Sequence, residues 1–137
     1  MSAYQSDSNT NGFDEEALLI ADPRLSEAID LFNQQEWYRC HDGFEALWHE
    51  TQGPMRPVLQ GILQIAVAHL HLESGNQHGA LVLLGEALGR LQDCGDQALG
   101  LNLEALRQPC HDLLAALQEG ISKQPSSFPR LDPFSAR

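Results

Sequence analysis

The side chains able to do chemistry in this 137-residue chain gather between positions 40 and 72. His41 and Glu45 stand four residues apart, with His49 four further on. On a helix that spacing stacks the groups on one face, a turn apart. A carboxylate beside an imidazole suits general base chemistry, or offers two ligands to a metal ion. Arg56, Gln60, Gln64 and His71 follow. At helical spacing these four fall in a stripe about 80° wide. His69 points to the other side, so the His69/His71 pair cannot clamp one ion while helical.

Known metal patterns are not completed. Di-iron bundles pair Glu-x-x-His motifs on two helices, and the zinc motif needs His-Glu-x-x-His. Here the spacing is His41-x3-Glu45-x3-His49, and glutamine is a poor ligand for transition metals. His41 and Glu45 are weak metal candidates, and no metal site is predicted. Without a glycine-rich phosphate loop or a Gly-x-Ser-x-Gly elbow, no cofactor is expected either. Cys40 reads as a small buried hydrophobe, because no basic group is poised to lower its pKa.

These residues need helices to position them. Asp22-Pro23 is a helix start, with Asp as cap and Pro in the first turn. A first helix then spans about 23–34, with Leu25, Ile29 and Phe32 on one face. A second covers about 36–50 and carries Trp37, Phe44 and Trp48 as an apolar arc, with His41 at its edge. Gln52-Gly53-Pro54 ends it. A third, about 54–74, is apolar almost all round and therefore buried on most sides. Gly75-Asn76 marks a turn. A fourth helix spans about 76–93, and a fifth runs from Asn102 to about 118 with a bend at Pro109. No stretch reads as a strand. The two helix pairs echo each other, with Cys40-His41 falling where Gly79-Ala80 falls. This is an analogy to tetratricopeptide hairpins, without their period or signature.

The expected fold is therefore all-α, a compact bundle of about five helices around a central antiparallel hairpin of the second and third. Residues 1–20 read as disordered or loosely packed, 21–119 as the bundle, and 120–137 as an extended tail. A short connection makes the second and third helices antiparallel. Counting outward from it sets Glu45 level with Gln60 and His41 level with Gln64, with Arg56 in reach of Glu45. The prediction is a buried polar layer of His41, Glu45, Gln60, Gln64 and Arg56. His71 should lie apart, near Asn33 and Trp37. Such a layer can be a satisfied network that fixes register, a ligand or catalytic pocket, or a metal site.

Eight Lys and Arg against nineteen Asp and Glu give a net charge of −11. A field of that sign repels phosphate backbones and anionic lipid, so neither nucleic acid nor membrane is an expected partner. Three cysteines without close pairing argue for a reducing compartment. The first residues lack a basic start and apolar run, so no signal peptide is read and a cytoplasmic location is expected. The run Val58 to Leu72 is broken by Gln60, Gln64, His69 and His71 and is short for a membrane span.

The same residues carry a resemblance. The run Phe32-x5-Tyr38-x2-His41-Asp42-x2-Glu45-x2-Trp48 is similar to a segment of the domain of unknown function 309 family. The match continues through Gly53-x2-Arg56-x3-Gln60-Gly61-Ile62-Leu63-Gln64, then Ala66, His71, Gly75-Asn76 and Gly79-Ala80. The resemblance implies a small helical bundle and no assigned activity. It places the family's signature on His41, Glu45, Trp48, Arg56, Gln60, Gln64 and His71. Asp42 departs from it, standing where the family usually has Glu. The leading expectation is a non-catalytic module that binds a protein partner or itself. The competing one is a hydrolase-like enzyme acting on a small molecule, with Glu45 as base, His41 as partner and Arg56 holding an anionic group.

Overall fold

Asp22 opens the second helix as its sequence suggests. Its carboxylate accepts the Arg24 N–H at 2.9 Å, and Pro23 occupies the first turn. The computed structural model describes residues 15–120 and 127–135. Within them α1 covers residues 15–21. It is followed by α2 (Pro23–Asn33), α3 (Trp37–Glu50), α4 (Arg56–Glu73) and α5 (Gln77–Leu91). Two short strands, β1 (Gln97–Ala98) and β2 (Leu101–Asn102), precede α6 (Leu103–Gln118). The fold is all-α, with six helices among the described residues instead of about five.

Apolar spacing decides what each helix buries. Leu25, Ala28 and Phe32 point inward from α2, and Trp37, Cys40, Phe44 and Leu47 from α3. These steps of three and four are one face of a helix. Helix α4 buries nine residues, from Val58 to His69, because it has neighbours on two sides. It lies between α3 and α5, and its contact with α5 is the more extensive. The expected central pairing of α3 with α4 is thus shared: each helix from α2 to α5 packs on the next, and α6 packs on α5. Asn76 and Asn102 cap α5 and α6, accepting the N–H of Gly79 and Ala105 at 2.9 Å each.

The echo between the helix pairs is real in the backbone and has a register of forty residues. Gln35 and Gly75 both adopt left-handed angles, φ 63° and 82°. The next amide reaches back over five residues in each turn, Glu36 N to Leu31 O at 2.9 Å and Asn76 N to His71 O at 2.7 Å. Both α2–α3 and α4–α5 therefore close with the same Schellman-type bond pattern.

Two expectations, about the chain's first residues and its strands, are corrected. Residues 1–20 were to be loose, yet 15–20 belong to α1, whose Leu19 is buried. Two carboxylates pin this helix. Glu15 accepts the N–H groups of Gly53 and Met55 at 2.8 Å each, and Glu16 accepts that of Leu99 at 2.7 Å. Residues 1–14 lie outside the described residues. No strand was expected, yet β1 and β2 pair antiparallel, Gln97 with Asn102 and Ala98 with Leu101. Two residues are too few to show alternation. The turn between them, Leu99 (φ 56°) and Gly100 (φ 74°), puts two successive residues in the left-handed region favoured by tight hairpins. Residues 127–135 are extended and lie against the bundle: Leu131 is buried and Pro133 forms a bridge with Leu101.

Candidate functional site: a half-buried stripe on two helices

Helix α4 keeps one face partly open. Arg56, Gln60, Gln64, Val67 and His71 are half-buried, in steps of four, four, three and four, while most of the helix between them is buried. That spacing is a single stripe. Since α3 and α5 flank α4, the stripe is the floor between them.

Toward α3, the Arg56 guanidinium lies 4.1 Å from the centre of the Trp48 ring. Its Nη1 donates to the Trp48 carbonyl at 2.7 Å and the Thr51 carbonyl at 3.0 Å. A cation there satisfies the Thr51 carbonyl, adds a second donor to the Trp48 carbonyl beside the Thr51 N–H, and meets the negative end of the helix dipole. Toward α5, Gln64 donates to Glu86 at 2.9 Å and accepts from Arg90 Nε at 3.0 Å. One amide thus holds an anion and a cation on the neighbouring helix. On α3, His41, Glu45 and Trp48 are half-buried in steps of four and three and continue the open surface past Arg56. His41 Nδ1 is 3.3 Å from Asp42, and its Nε2 is 3.8 Å from Glu45.

His71 ends the stripe at the α4–α5 turn. Asn76 Oδ1 takes the Gly79 N–H, so its Nδ2 can only donate, to His71 Nδ1 at 3.1 Å. This places the neutral His71 proton on Nε2.

The predicted layer is therefore present as a surface, not as a buried network. The side chains of His41 and Glu45 are 25% and 45% exposed. Among the described residues no hydrogen bond joins Gln60 or Gln64 to His41 or Glu45, and Arg56 turns to backbone carbonyls instead of Glu45. His71 was expected near Trp37. Instead His69 holds that place, its ring stacked on Trp37 with centres 4.5 Å apart. The face opposite the stripe is the inside of the bundle, where the first turn of α3 meets the last turns of α4.

Sequence reasoning missed two contributors, Glu86 and Arg90. They stand four apart on α5, and a charged pair at that spacing was the available signal. Glu86 and Arg90 also line a cleft of about 730 Å³ between the start of α4 and the end of α5, with Pro54, Met55 and Val58 opposite. A second cleft of about 390 Å³ lies between α2 and α3, where Arg39 and Asp42 stand. Glu45 lines neither.

Burial sets the remaining chemistry. It pushes the Cys40 and Cys110 thiols up to about 12, which leaves them protonated near neutrality. It lowers His69 to about 4. The Nε2 atom of His69 and the Nε1 atom of Trp48 are buried without a hydrogen-bond partner. Among the described residues no three His, Cys, Asp or Glu side chains gather as a ligand set.

The stripe lies within a segment that matches a known family. Residues 25–83 match the sequence profile of Domain of unknown function (DUF309). The matched segment is under half of the chain. An uncharacterized protein of Aquifex aeolicus (strain VF5) is 25% identical over 97 residues, covering 70% of this chain and 29% of that protein. The chain thus spans less than a third of that relative's length. All seven signature residues fall inside the DUF309 segment, and Glu86 and Arg90 lie just beyond it. Among the described residues no helix is long and apolar enough to cross a membrane.

Proposed function

We propose that this chain is a non-catalytic binding module whose docking surface is the open stripe of α4 with the adjoining face of α3. The observation that carries this reading is the burial of the signature. His41, Glu45, Trp48, Arg56, Gln60, Gln64 and His71 are all half-buried, and Arg56, Gln64 and His71 are also hydrogen-bonded to neighbouring groups. Anchored but reachable polar groups beside aromatic and cationic walls are what a docked surface needs.

The hydrolase-like reading called for Arg56 to hold an anionic group beside Glu45. Arg56 directs its Nη1 to two carbonyls of α3 and not toward Glu45, which counts against that constellation. A metal at His41 and Glu45 would have a two-residue protein ligand set on an open surface.

The test pairs the stability of the stripe with its binding. His41→Ala and Gln60→Ala should each change the free energy of unfolding by less than about 0.5 kcal/mol, as surface substitutions do. Affinity capture with wild type and with the double variant should then show a partner, or a second copy, that the double variant loses. Capture that returns no partner, with a monomer on sizing at all concentrations, would sink the reading. A partner bound equally by both forms would move the docking surface elsewhere.

A further inference from the structure

Residues 127–135 are held in a seat made by four separate parts of the chain. Asn33, the last residue of α2, clamps Leu131 with both ends of its amide. Nδ2 donates to the Leu131 carbonyl at 2.9 Å, and Oδ1 accepts the Leu131 N–H at 2.8 Å. The hairpin loop adds two backbone bonds, Asn102 N to Asp132 O at 2.8 Å and Phe134 N to Gly100 O at 2.9 Å. Pro129 and Leu131 point inward and are buried, and Arg130 between them is exposed. This is the alternation of an extended strand. Phe128 completes the contact, its ring centre 5.8 Å from that of His69 and 6.3 Å from that of Trp37.

The hydrogen bonds of the seat read the segment's backbone, and its apolar contacts take the alternating Pro129 and Leu131 together with the adjacent Phe128 ring. That division is how proteins recognise an extended peptide added at a strand edge: backbone bonds give affinity and pockets give specificity. The seat is thus a built peptide site, filled here from within the same chain. The buried, unpartnered Nε2 of His69 lies in the ring cluster beneath Phe128.

We propose that the seat also takes this segment from a second copy of the chain, so that two copies join by exchanging residues 127–135. The occupant is fixed by chemistry. The segment Phe128-Pro129-Arg130-Leu131-Asp132-Pro133 fits in cis, and a second copy presents the same side chains. Exchange replaces each contact by an identical one, so no contact energy opposes it and protein concentration sets the balance. The exchange uses none of the stripe residues and stands independently of the docking surface proposed above.

Two full-length variants test it by complementation. Leu131→Asp spoils the segment and leaves the seat. Asn33→Asp removes the N–H donor of the seat and leaves the segment. Each alone should run as a monomer with the helical circular dichroism of wild type. Their mixture should give a species of twice the monomer mass, in which the intact segment of one copy fills the intact seat of the other. A mixture that stays monomeric while both variants remain helical overturns the proposal. A second measurement covers the case in which Leu131→Asp fails to fold. A fluorescent peptide of residues 127–135 is titrated onto full-length Phe128→Ala, whose own segment is weakened. Binding at least tenfold tighter than to wild type, lost on adding Asn33→Asp, supports exchange. Equal binding to all three forms, or none, overturns it.

Discussion

Protonating His69 means bringing a charge between the Trp37 ring and the core. Burial lowers its pKa from 6.5 to about 4, so the unfolded chain takes up a proton at a pH where the folded chain refuses it. The stabilisation is complete above about 6.5 and is lost progressively as pH falls toward 4. A shift of this size corresponds to at most on the order of 3 kcal/mol. The melting temperature of wild type should therefore fall between pH 7 and pH 4.5 by more than that of His69→Phe, which keeps the stack and cannot titrate. Equal pH dependence in the two proteins would show that His69 does not control it. Arg56 makes a different case, since its contacts are polar and partly open. Replacing it by Ala leaves the Thr51 carbonyl unpaired, takes one of two donors from the Trp48 carbonyl and removes the stacked cation, at a cost of about 1–3 kcal/mol. Lys restores the charge but not the planar fork, so Arg56→Lys should recover less than half of the loss in urea unfolding. His69 and His71 also show what a helical wheel can read. It separated them correctly onto opposite faces. It did not say which face was the inside, because that depends on the neighbours of α4 and not on α4 itself.

The two helix turns make the same lesson visible for elements. Gly75-Asn76 announces its turn, because glycine enters the left-handed region freely and asparagine caps the next helix. Gln34-Gln35-Glu36 folds into the same hydrogen-bond pattern with no such mark, since tertiary packing of α2 on α3 holds Gln35 at φ 63°. A non-glycine residue there is strained by about 1–2 kcal/mol. Gln35→Gly should accordingly stabilise the protein by about 0.5–1 kcal/mol in chemical denaturation, and Gly75→Ala should destabilise it by a similar amount. If both changes are neutral, the turns are not under the backbone control argued here. Helix α1 was illegible for a related reason. Its hold on the bundle rests on Glu15 reaching the backbone of a loop some forty residues away, and Gly53 is what makes room. A Cβ at that position would collide with the Glu15 carboxylate. Gly53→Ala should therefore release Glu15 and speed amide exchange in α1 ahead of every other helix.

At the scale of the molecule, the helices from α2 to α6 were readable from apolar spacing and caps, whereas the closure of the chain was not. Closure depends on single side chains meeting distant backbone: Asn33 on Leu131, Glu16 on Leu99, Glu15 on Gly53. No local pattern encodes such pairs. Charge was readable and has a global consequence. A net charge of −11 spreads repulsion over a small surface. The ion pairs among the described residues, such as Arg24 with Glu50 and Arg130 with Asp132, are exposed and contribute little. Repulsion summed over the whole surface should then outweigh these pairs. Salt screens charges at about 10 Å at 0.1 M, which relieves the long-range repulsion first. The melting temperature at neutral pH should rise by a few degrees between 10 mM and 0.3 M sodium chloride. A flat or falling curve would mean that the specific pairs at the helix ends, not the summed field, dominate the electrostatics of the fold. In that case Arg24→Ala, which breaks the Asp22 and Glu50 contacts at once, should lower the melting temperature most in dilute buffer.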